Sequence, residues 1–94
     1  MSKKIITECI NQRKMVAFTY GAAVRMVEPH SLGMTSKGEI AVRAYQVGES
    51  PEVTGWRLFK LDNLTDAATI DRPFTPRSDY RKGDKAFTNI AAEV

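Results

Sequence analysis

The sequence has little of the chemistry that metal sites and disulfide frameworks need. It contains one cysteine, Cys9, and one histidine, His30, which lie far apart with no second ligand residue near either. One cysteine cannot form an internal disulfide, and the spacing of a zinc site is missing. We therefore predict no metal and no cofactor, and we interpret Cys9 as a reduced packing residue.

Catalytic motifs are missing as well. The chain has no glycine-rich phosphate loop and no G-x-S-x-G elbow, and its carboxylates are scattered rather than paired at a spacing that suits acid/base chemistry. We therefore predict that the protein is not an enzyme, although a site assembled from distant residues would leave no such motif.

Long apolar runs and a strong charge excess are also absent. No apolar stretch of the 94 residues approaches the length of a membrane helix, and the first residues lack the features of a signal peptide. We expect a cytoplasmic protein with no membrane partner. The net charge of +3 and the pI of about 9.2 permit phosphate-bearing partners without requiring them.

What the chain does have is one amphipathic segment followed by short strands. Helical spacing of apolar residues predicts an α-helix over residues 3–13, and the spacing then changes to period two. About five short strands follow before Pro73 and Pro76 break the pattern. The length allows one domain, so we predict a mainly β fold, a small five-stranded barrel with one N-terminal helix in residues 1–72. Residues 73–94 are predicted to be a polar tail or an appended element.

An arginine falls inside each of three predicted strands. Arg25, Arg43 and Arg57 all have apolar or aromatic neighbours in the chain. They either point outward from the barrel and are solvated, or converge on one face as an anion site. Guanidinium suits the second role because it is planar, permanently charged and able to donate two parallel hydrogen bonds to phosphate.

Aromatic and polar residues near these arginines complete the candidate site. Aromatic faces beside basic groups favour base stacking and cation–π contacts, although such residues are also common in a core. A lone histidine is more often a turn residue or a satisfied polar side chain than a ligand. The further candidate binding residues are Tyr20, His30, Tyr45, Trp56 and Lys60.

The order of these motifs resembles the WYL domain of bacterial and phage regulators. The resemblance covers about residues 5–72 and depends on the order and spacing of several short motifs rather than on one of them. The motifs are the basic pair Arg13 and Lys14, a strand with Phe18 and Tyr20, Arg25 with Glu28 and Pro29, the pair Ala44 and Tyr45, and the residues Arg57, Phe59, Leu61 and Leu64.

The chain departs from that family at the tripeptide that names it. Ile40, Ala41 and Val42 stand there, so apolar character is kept but the Trp and Tyr are not. The resemblance implies an Sm-like barrel of the SH3 type that senses nucleic acid or a nucleotide through a basic pocket. In the family this domain usually follows a winged-helix DNA-binding domain and precedes a C-terminal extension. We expect a free-standing or truncated form, from a bacterium or phage, that does not recognise a promoter by itself.

Two functions follow from the sequence. The first is a non-enzymatic, ligand-sensing or regulatory module that binds single-stranded nucleic acid or a nucleotide. The second is an interaction adaptor that forms a homodimer or docks on a transcription regulator. The first requires Arg25, Arg43 and Arg57 to gather in one concave place. Three exterior side chains, each paired with its own acid, would contradict it.

Overall fold

A computed structural model describes residues 2–48 and 52–94. In these ranges the chain forms one α-helix, one short 3₁₀ helix and six strands of a single antiparallel sheet. The elements are α1 (Ser2–Gln12), β1 (Lys14–Tyr20), β2 (Ala23–Thr35), β3 (Ile40–Gln46), β4 (Gly55–Lys60), the 3₁₀ turn Leu61–Asn63, β5 (Leu64–Pro73) and β6 (Phe87–Glu93). The predicted mainly β fold with an N-terminal helix is confirmed, but the strands number six in the described ranges rather than five.

The helix ends at a residue, Arg13, whose backbone is in the left-handed conformation. Arg13 has a φ of 55°, a left-handed conformation that cannot continue an α-helix, and β1 begins at the next residue. The observed helix therefore agrees with the predicted range of 3–13 to within one residue at each end. No helix in residues 2–48 or 52–94 is long and apolar enough to cross a membrane.

The strand β2 organises the sheet, because it pairs with three other strands. Val27 pairs with β1 on one edge and with β3 on the other, whereas Ser31 pairs with β3 and with β6. Strand β6 therefore occupies the same edge of β2 that β1 leaves after Val27. The strand order is β4-β3-β2-β1-β5, and no backbone pairing joins β4 to β5 among the described residues. The sheet is barrel-like rather than closed by a full hydrogen-bonded ring.

The hydrophobic core lies between α1 and one face of the sheet, which we call the core face. The side chains of this core are at most 5% exposed. Burial also raises the pKa of the Cys9 thiol, which packs here. The core residues are Ile6, Cys9, Ile10, Val16, Phe18, Val27, Leu32, Val42, Ala44, Phe59 and Leu64. Because side chains alternate along a strand, the intervening residues point to the opposite side, which we call the outer face.

The segment after residue 73 belongs in part to the sheet. Strand β6 pairs with Ser31–Thr35 of β2, and both Phe74 and Phe87 are only 9% exposed. Gly33 allows the close approach of β6: a Cβ atom there would overlap the carbonyl oxygen of Asn89 and lie 2.9 Å from the ring of Phe87. The sixth strand is thus contributed by the segment that the sequence pattern left as a tail or an appended element.

Candidate basic and aromatic site on the outer face

An aromatic cluster lies on the outer face of β2, β3 and β4. Tyr45 and Trp56 are directly opposite each other on β3 and β4, and their rings are 5.4 Å apart. The ring of His30 lies 4.8 Å from Trp56, 5.2 Å from Phe74 and 5.1 Å from Tyr80. We call these five residues the aromatic cluster. It forms because a segment after β5 returns across the outer face and covers it.

His30 is the buried centre of this cluster. It is 0% exposed, its Nδ1 lies 2.8 Å from the carbonyl oxygen of Glu28, and its Nε2 lies 3.1 Å from the backbone N of Arg77. Nδ1 therefore donates and Nε2 accepts, which requires the neutral ring. Burial lowers the pKa of His30, and this outweighs the opposing effect of the Glu28 carbonyl. Because it is fully buried, His30 cannot contact a ligand directly in this structure. Its role is to position the segment that covers the cluster.

Arg77 fastens that segment to the sheet. Its Nε donates to Oε1 of Glu28 at 2.9 Å, and its guanidinium lies 3.7 Å from the centroid of the Tyr45 ring. The hydrogen bond to Glu28 raises the pKa of Arg77 further. One face of Tyr45 is therefore occupied by a cation of the same chain, which removes it as a stacking platform unless Arg77 moves.

Arg43 is held on the outer face by a carboxylate of the same segment. Its Nε and Nη2 donate to the two carboxylate oxygens of Asp84 at 2.6 Å and 3.4 Å. The side chains are 26% and 15% exposed, so the pair is only partly screened by water. Burial acts to raise the pKa of Asp84, but hydrogen bonds from Arg43 and from the backbone N–H of Ala86 outweigh it and hold this pKa below its usual value.

A cavity of about 500 Å³ opens beside this ion pair. Its volume is in the range of sites that hold small molecules. Trp56 and Tyr80 supply aromatic surface, and the indole N–H of Trp56 donates to Oδ2 of Asp79 at 3.0 Å. Four cationic and two anionic side chains line the cavity, so it is basic. The cations are Arg43, Arg81, Lys82 and Lys85, and the anions are Asp79 and Asp84.

The other two strand arginines lie on the core face. Arg57 is opposite Ala44, and Arg25 is opposite Phe18, so both share the face of the hydrophobic core, at its margin. Arg25 donates to the carbonyl oxygen of Tyr20 at 3.1 Å and 3.3 Å and to Oε1 of Gln46 at 3.4 Å. The structure therefore does not bring the three arginines together: Arg43 stands on one face of the sheet, and Arg25 and Arg57 on the other.

Backbone carbonyls accept hydrogen bonds from both of these core-face arginines. Arg57 donates to the carbonyl oxygens of Trp56 at 2.9 Å and Glu52 at 3.2 Å. Arg43, on the other face of the sheet, forms an ion pair with the carboxylate of Asp84.

The two remaining candidates have structural partners. The ring of Tyr20 packs edge-on against Phe18 and Phe59, and its hydroxyl accepts a hydrogen bond from the backbone N–H of Lys60. The ammonium of Lys60 lies 3.4 Å from Glu39. Tyr20 thus belongs to the margin of the core, and Lys60 lies outside the lining of the basic cavity.

Sequence reasoning located Arg43 and Trp56 in this site but missed the residues opposite them. Arg77, Asp79, Tyr80 and Asp84 lie in residues 73–94, which the sequence predicts to be a polar tail or an appended element, and their contacts with the sheet leave no local pattern. A usable signal was present, because Phe74, Tyr80 and Phe87 are spaced through the segment and each needs cover from water. In residues 2–48 and 52–94, no group of three or more His, Cys, Asp or Glu side chains is placed to hold a metal ion.

Comparison with known proteins supports the fold. No protein-family profile matches the chain, and no curated protein sequence is significantly similar to it. Among solved structures, the chain is similar to proteasome accessory factor B/C (PafBC) of Arthrobacter aurescens, with a TM-score of 0.73 and 20% sequence identity. The match covers 86% of this chain but only 13% of PafBC. At this identity the likeness supports a WYL-like fold and no more.

Proposed function

We propose that this protein is a non-enzymatic, ligand-sensing module that binds single-stranded nucleic acid or a nucleotide in the basic cavity of the outer face. The observation that carries the proposal is the composition of that cavity. Four cationic side chains, two carboxylates and two aromatic rings surround a space of about 500 Å³, so its lining carries a net positive charge. Cations attract phosphate, and aromatic rings stack with bases of any sequence.

A regulatory role is supported by the fold. The structural neighbour PafBC is a regulator that contains a WYL domain, and this chain corresponds to about 13% of it. In the proposed role the domain acts through the ligand that it holds, and a change in occupancy of the cavity is passed to a partner.

The first prediction concerns removal of the cavity's exposed cations. The triple variant Arg81→Ala, Lys82→Ala, Lys85→Ala should bind short single-stranded DNA and RNA at least about tenfold more weakly than wild type, because three phosphate contacts are lost. The salt slope of binding should also fall by about two units. Both quantities are measured by the anisotropy of labelled oligonucleotides over a series of salt concentrations.

A matched variant controls for net charge. Lys4→Ala, Lys37→Ala, Arg72→Ala also removes three positive charges, from exposed residues outside the cavity lining. It should stay within about threefold of wild type, since long-range charge is largely screened at physiological salt. Equal losses in the two triple variants would show that binding follows overall charge rather than this cavity.

The core-face arginines are tested in parallel. Arg25→Ala and Arg57→Ala remove two of the three arginines that the sequence predicts for the site, and neither residue lines the outer-face cavity. If the ligand binds in that cavity, both variants should keep the affinity of the wild type. A loss in these two variants, with the cavity variants unaffected, would move the binding site to the core face.

The adaptor function remains a second candidate, and one observation favours it. Val24, Met26 and Val47 are 71%, 41% and 38% exposed, and the backbone N–H of Val47 donates to the carbonyl of Met26 at 2.9 Å. These adjacent apolar side chains would suit an interface with a second copy of the chain. Sedimentation of the wild type and of Val24→Asp tests it: a dimer that is insensitive to salt and lost in the variant would favour the adaptor.

A further inference from the structure

Asp84 occupies Arg43 in the geometry that a phosphate would use. Two donors on one edge of the guanidinium, Nε and Nη2, point at the two oxygens of one carboxylate. Phosphate accepts the same pair of parallel hydrogen bonds, which makes it a direct competitor of the carboxylate. Both Arg43 and Asp84 line the basic cavity, so an anion that enters the cavity meets the pair at its wall.

The residues around Asp84 form a short loop with fixed ends. Residues 81–86 contain no helix or strand. The loop starts after Tyr80, whose hydroxyl donates to Glu93 at 2.6 Å, and ends at the buried Phe87 of β6. Arg81, Lys82 and Lys85 are exposed, so cations flank the one acid of the loop. Tyr80 and Phe87 are anchored independently of Arg43, and the backbone N–H of Gly83 donates to the same Glu93 carboxylate at 2.9 Å, so the Asp84 side chain can leave Arg43 without unfolding of the sheet.

We propose that Asp84 is an internal competitor that keeps Arg43 closed, and that a phosphate group of the bound nucleotide or nucleic acid displaces it. The proposal rests on the proposed function and specifies how that same site is regulated. Exchange costs little electrostatically, because Arg43 changes one anionic partner for another and the carboxylate regains water. The cavity cations lower the energy of the incoming phosphate at the same time.

The variant Asp84→Asn isolates this competition. An asparagine oxygen can still accept the hydrogen bond of the Ala86 N–H, at 2.9 Å in the wild type, but it lacks the charge that holds Arg43. The variant should bind a single-stranded oligothymidylate and adenosine monophosphate roughly tenfold more tightly than the wild type. Both probes present phosphate, but oligothymidylate is a polymer and adenosine monophosphate is a single nucleotide. Comparing their affinities therefore shows which of the two kinds of ligand the cavity prefers.

Two matched variants separate competition from net charge. Asp62→Asn makes the same charge change at an exposed residue outside the cavity, and Asp79→Asn makes it inside the cavity on the partner of Trp56. Neither change releases Arg43. If competition for Arg43 is responsible, Asp84→Asn should exceed both in its gain of affinity, and the gain should disappear when Arg43→Ala is added.

A second measurement follows the loop without any ligand. Trypsin cleaves after Arg and Lys, and Arg81, Lys82 and Lys85 are exposed in the loop. Cleavage there should be several times faster in Asp84→Asn than in the wild type and Asp62→Asn, because the loop has lost its tie to β3. Equal cleavage rates would show that the ion pair does not hold the loop and would overturn the proposal.

The outcomes distinguish this proposal from the proposed function. If the wild type binds the probes and Asp84→Asn binds them no more tightly than Asp62→Asn, the competitor role is overturned and the binding function stands. If the wild type does not bind but Asp84→Asn does, the competitor role is supported and the cavity of the wild type is closed. If neither protein binds either probe, both proposals fail.

Discussion

The only imidazole of the chain, that of His30, is neutral because one of its nitrogens must donate a hydrogen bond and the other must accept one. Nδ1 of His30 donates to the Glu28 carbonyl, and Nε2 accepts from the backbone N–H of Arg77. A second proton would remove the acceptor and place a charge against the guanidinium of Arg77. Glu28 and Asp79 would favour that charge, but burial outweighs them and lowers the pKa of His30. One side chain therefore connects proton activity to the segment that covers the aromatic cluster.

The prediction that follows concerns pH. The unfolded chain binds a proton at His30 near pH 6.5, whereas the folded protein does so only at lower pH. The contribution of neutral His30 to the free energy of unfolding should therefore be complete above about pH 6.5. It should fall as the pH decreases from 6.5 towards the folded pKa, with a slope of at most about 1.4 kcal/mol per pH unit. Urea unfolding at several pH values measures the slope, and the single imidazole NMR signal measures the pKa.

A variant without the imidazole provides the comparison. In His30→Asn the side-chain amide can still donate towards the Glu28 carbonyl, but nothing titrates near pH 6. The variant should be less stable than the wild type at pH 8, and the slope between pH 5 and 6.5 should flatten. A wild-type slope that survives in the variant would assign the pH dependence to other groups.

Elements of this fold depend on which edges of β2 are available. Strand β1 leaves the edge after Val27, and β6 takes the same edge from Ser31 onward. That arrangement places the segment between β5 and β6 across the outer face, where Arg77 and Asp84 meet the sheet. The cavity is therefore a product of the connection as much as of the strands.

The close approach of β6 to β2 requires a residue without a side chain at Gly33. We expect Gly33→Ala to lower the free energy of unfolding by about 1–3 kcal/mol, because the added methyl group overlaps the Asn89 carbonyl and presses on Phe87. Urea unfolding measures the loss, and Ser36→Ala, in an exposed turn, should change it by less than about 0.5 kcal/mol.

Hydrogen exchange locates the damage. In Gly33→Ala the amides of β6 should exchange faster relative to those of β1, since the atoms nearest to the new methyl group belong to β6. Uniform acceleration across the sheet, or an unchanged stability, would show that β6 does not approach β2 as closely as the structure has it.

The helix and the presence of several strands after it could be predicted because their patterns are local. Strand β6 could not, since its sequence shows only one buried residue, Phe87, and its partner edge on β2 is defined by where β1 ends. The sequence alternation does predict that Arg43 and Arg57 lie on opposite faces of the sheet. Arg43 shares the alternation of Tyr45, and Arg57 shares that of the core residue Phe59, so the two had to diverge. The contacts of Arg77 and Asp84 cross long stretches of chain and leave no local pattern.

The whole molecule is a sheet with an apolar cluster on each side. The larger cluster lies beneath α1 and contains Phe18 and Phe59, whose rings are 5.0 Å apart. The smaller is the aromatic cluster of the outer face, which contains Phe74. Because the backbone of the sheet separates them, a change on one side need not repack the other.

Double-mutant cycles test that separation. Phe18→Leu and Phe74→Leu should lower stability additively, within about 0.5 kcal/mol, since the two side chains share no cluster. Phe18→Leu and Phe59→Leu, which lie in contact, should show coupling beyond that limit. The measurement is chemical denaturation of the single and double variants, and strong coupling across the sheet would contradict two independent clusters.

The chain has a single tryptophan, and that residue stands in the wall of the basic cavity, against His30. Its intrinsic emission is therefore a built-in reporter that needs no dye. An anion or base arriving beside the indole should alter the intensity directly, and protonation of the adjacent imidazole should quench it. Emission followed during ligand addition at pH 8 therefore reports occupancy of the cavity, and emission followed against pH without ligand reports protonation of His30.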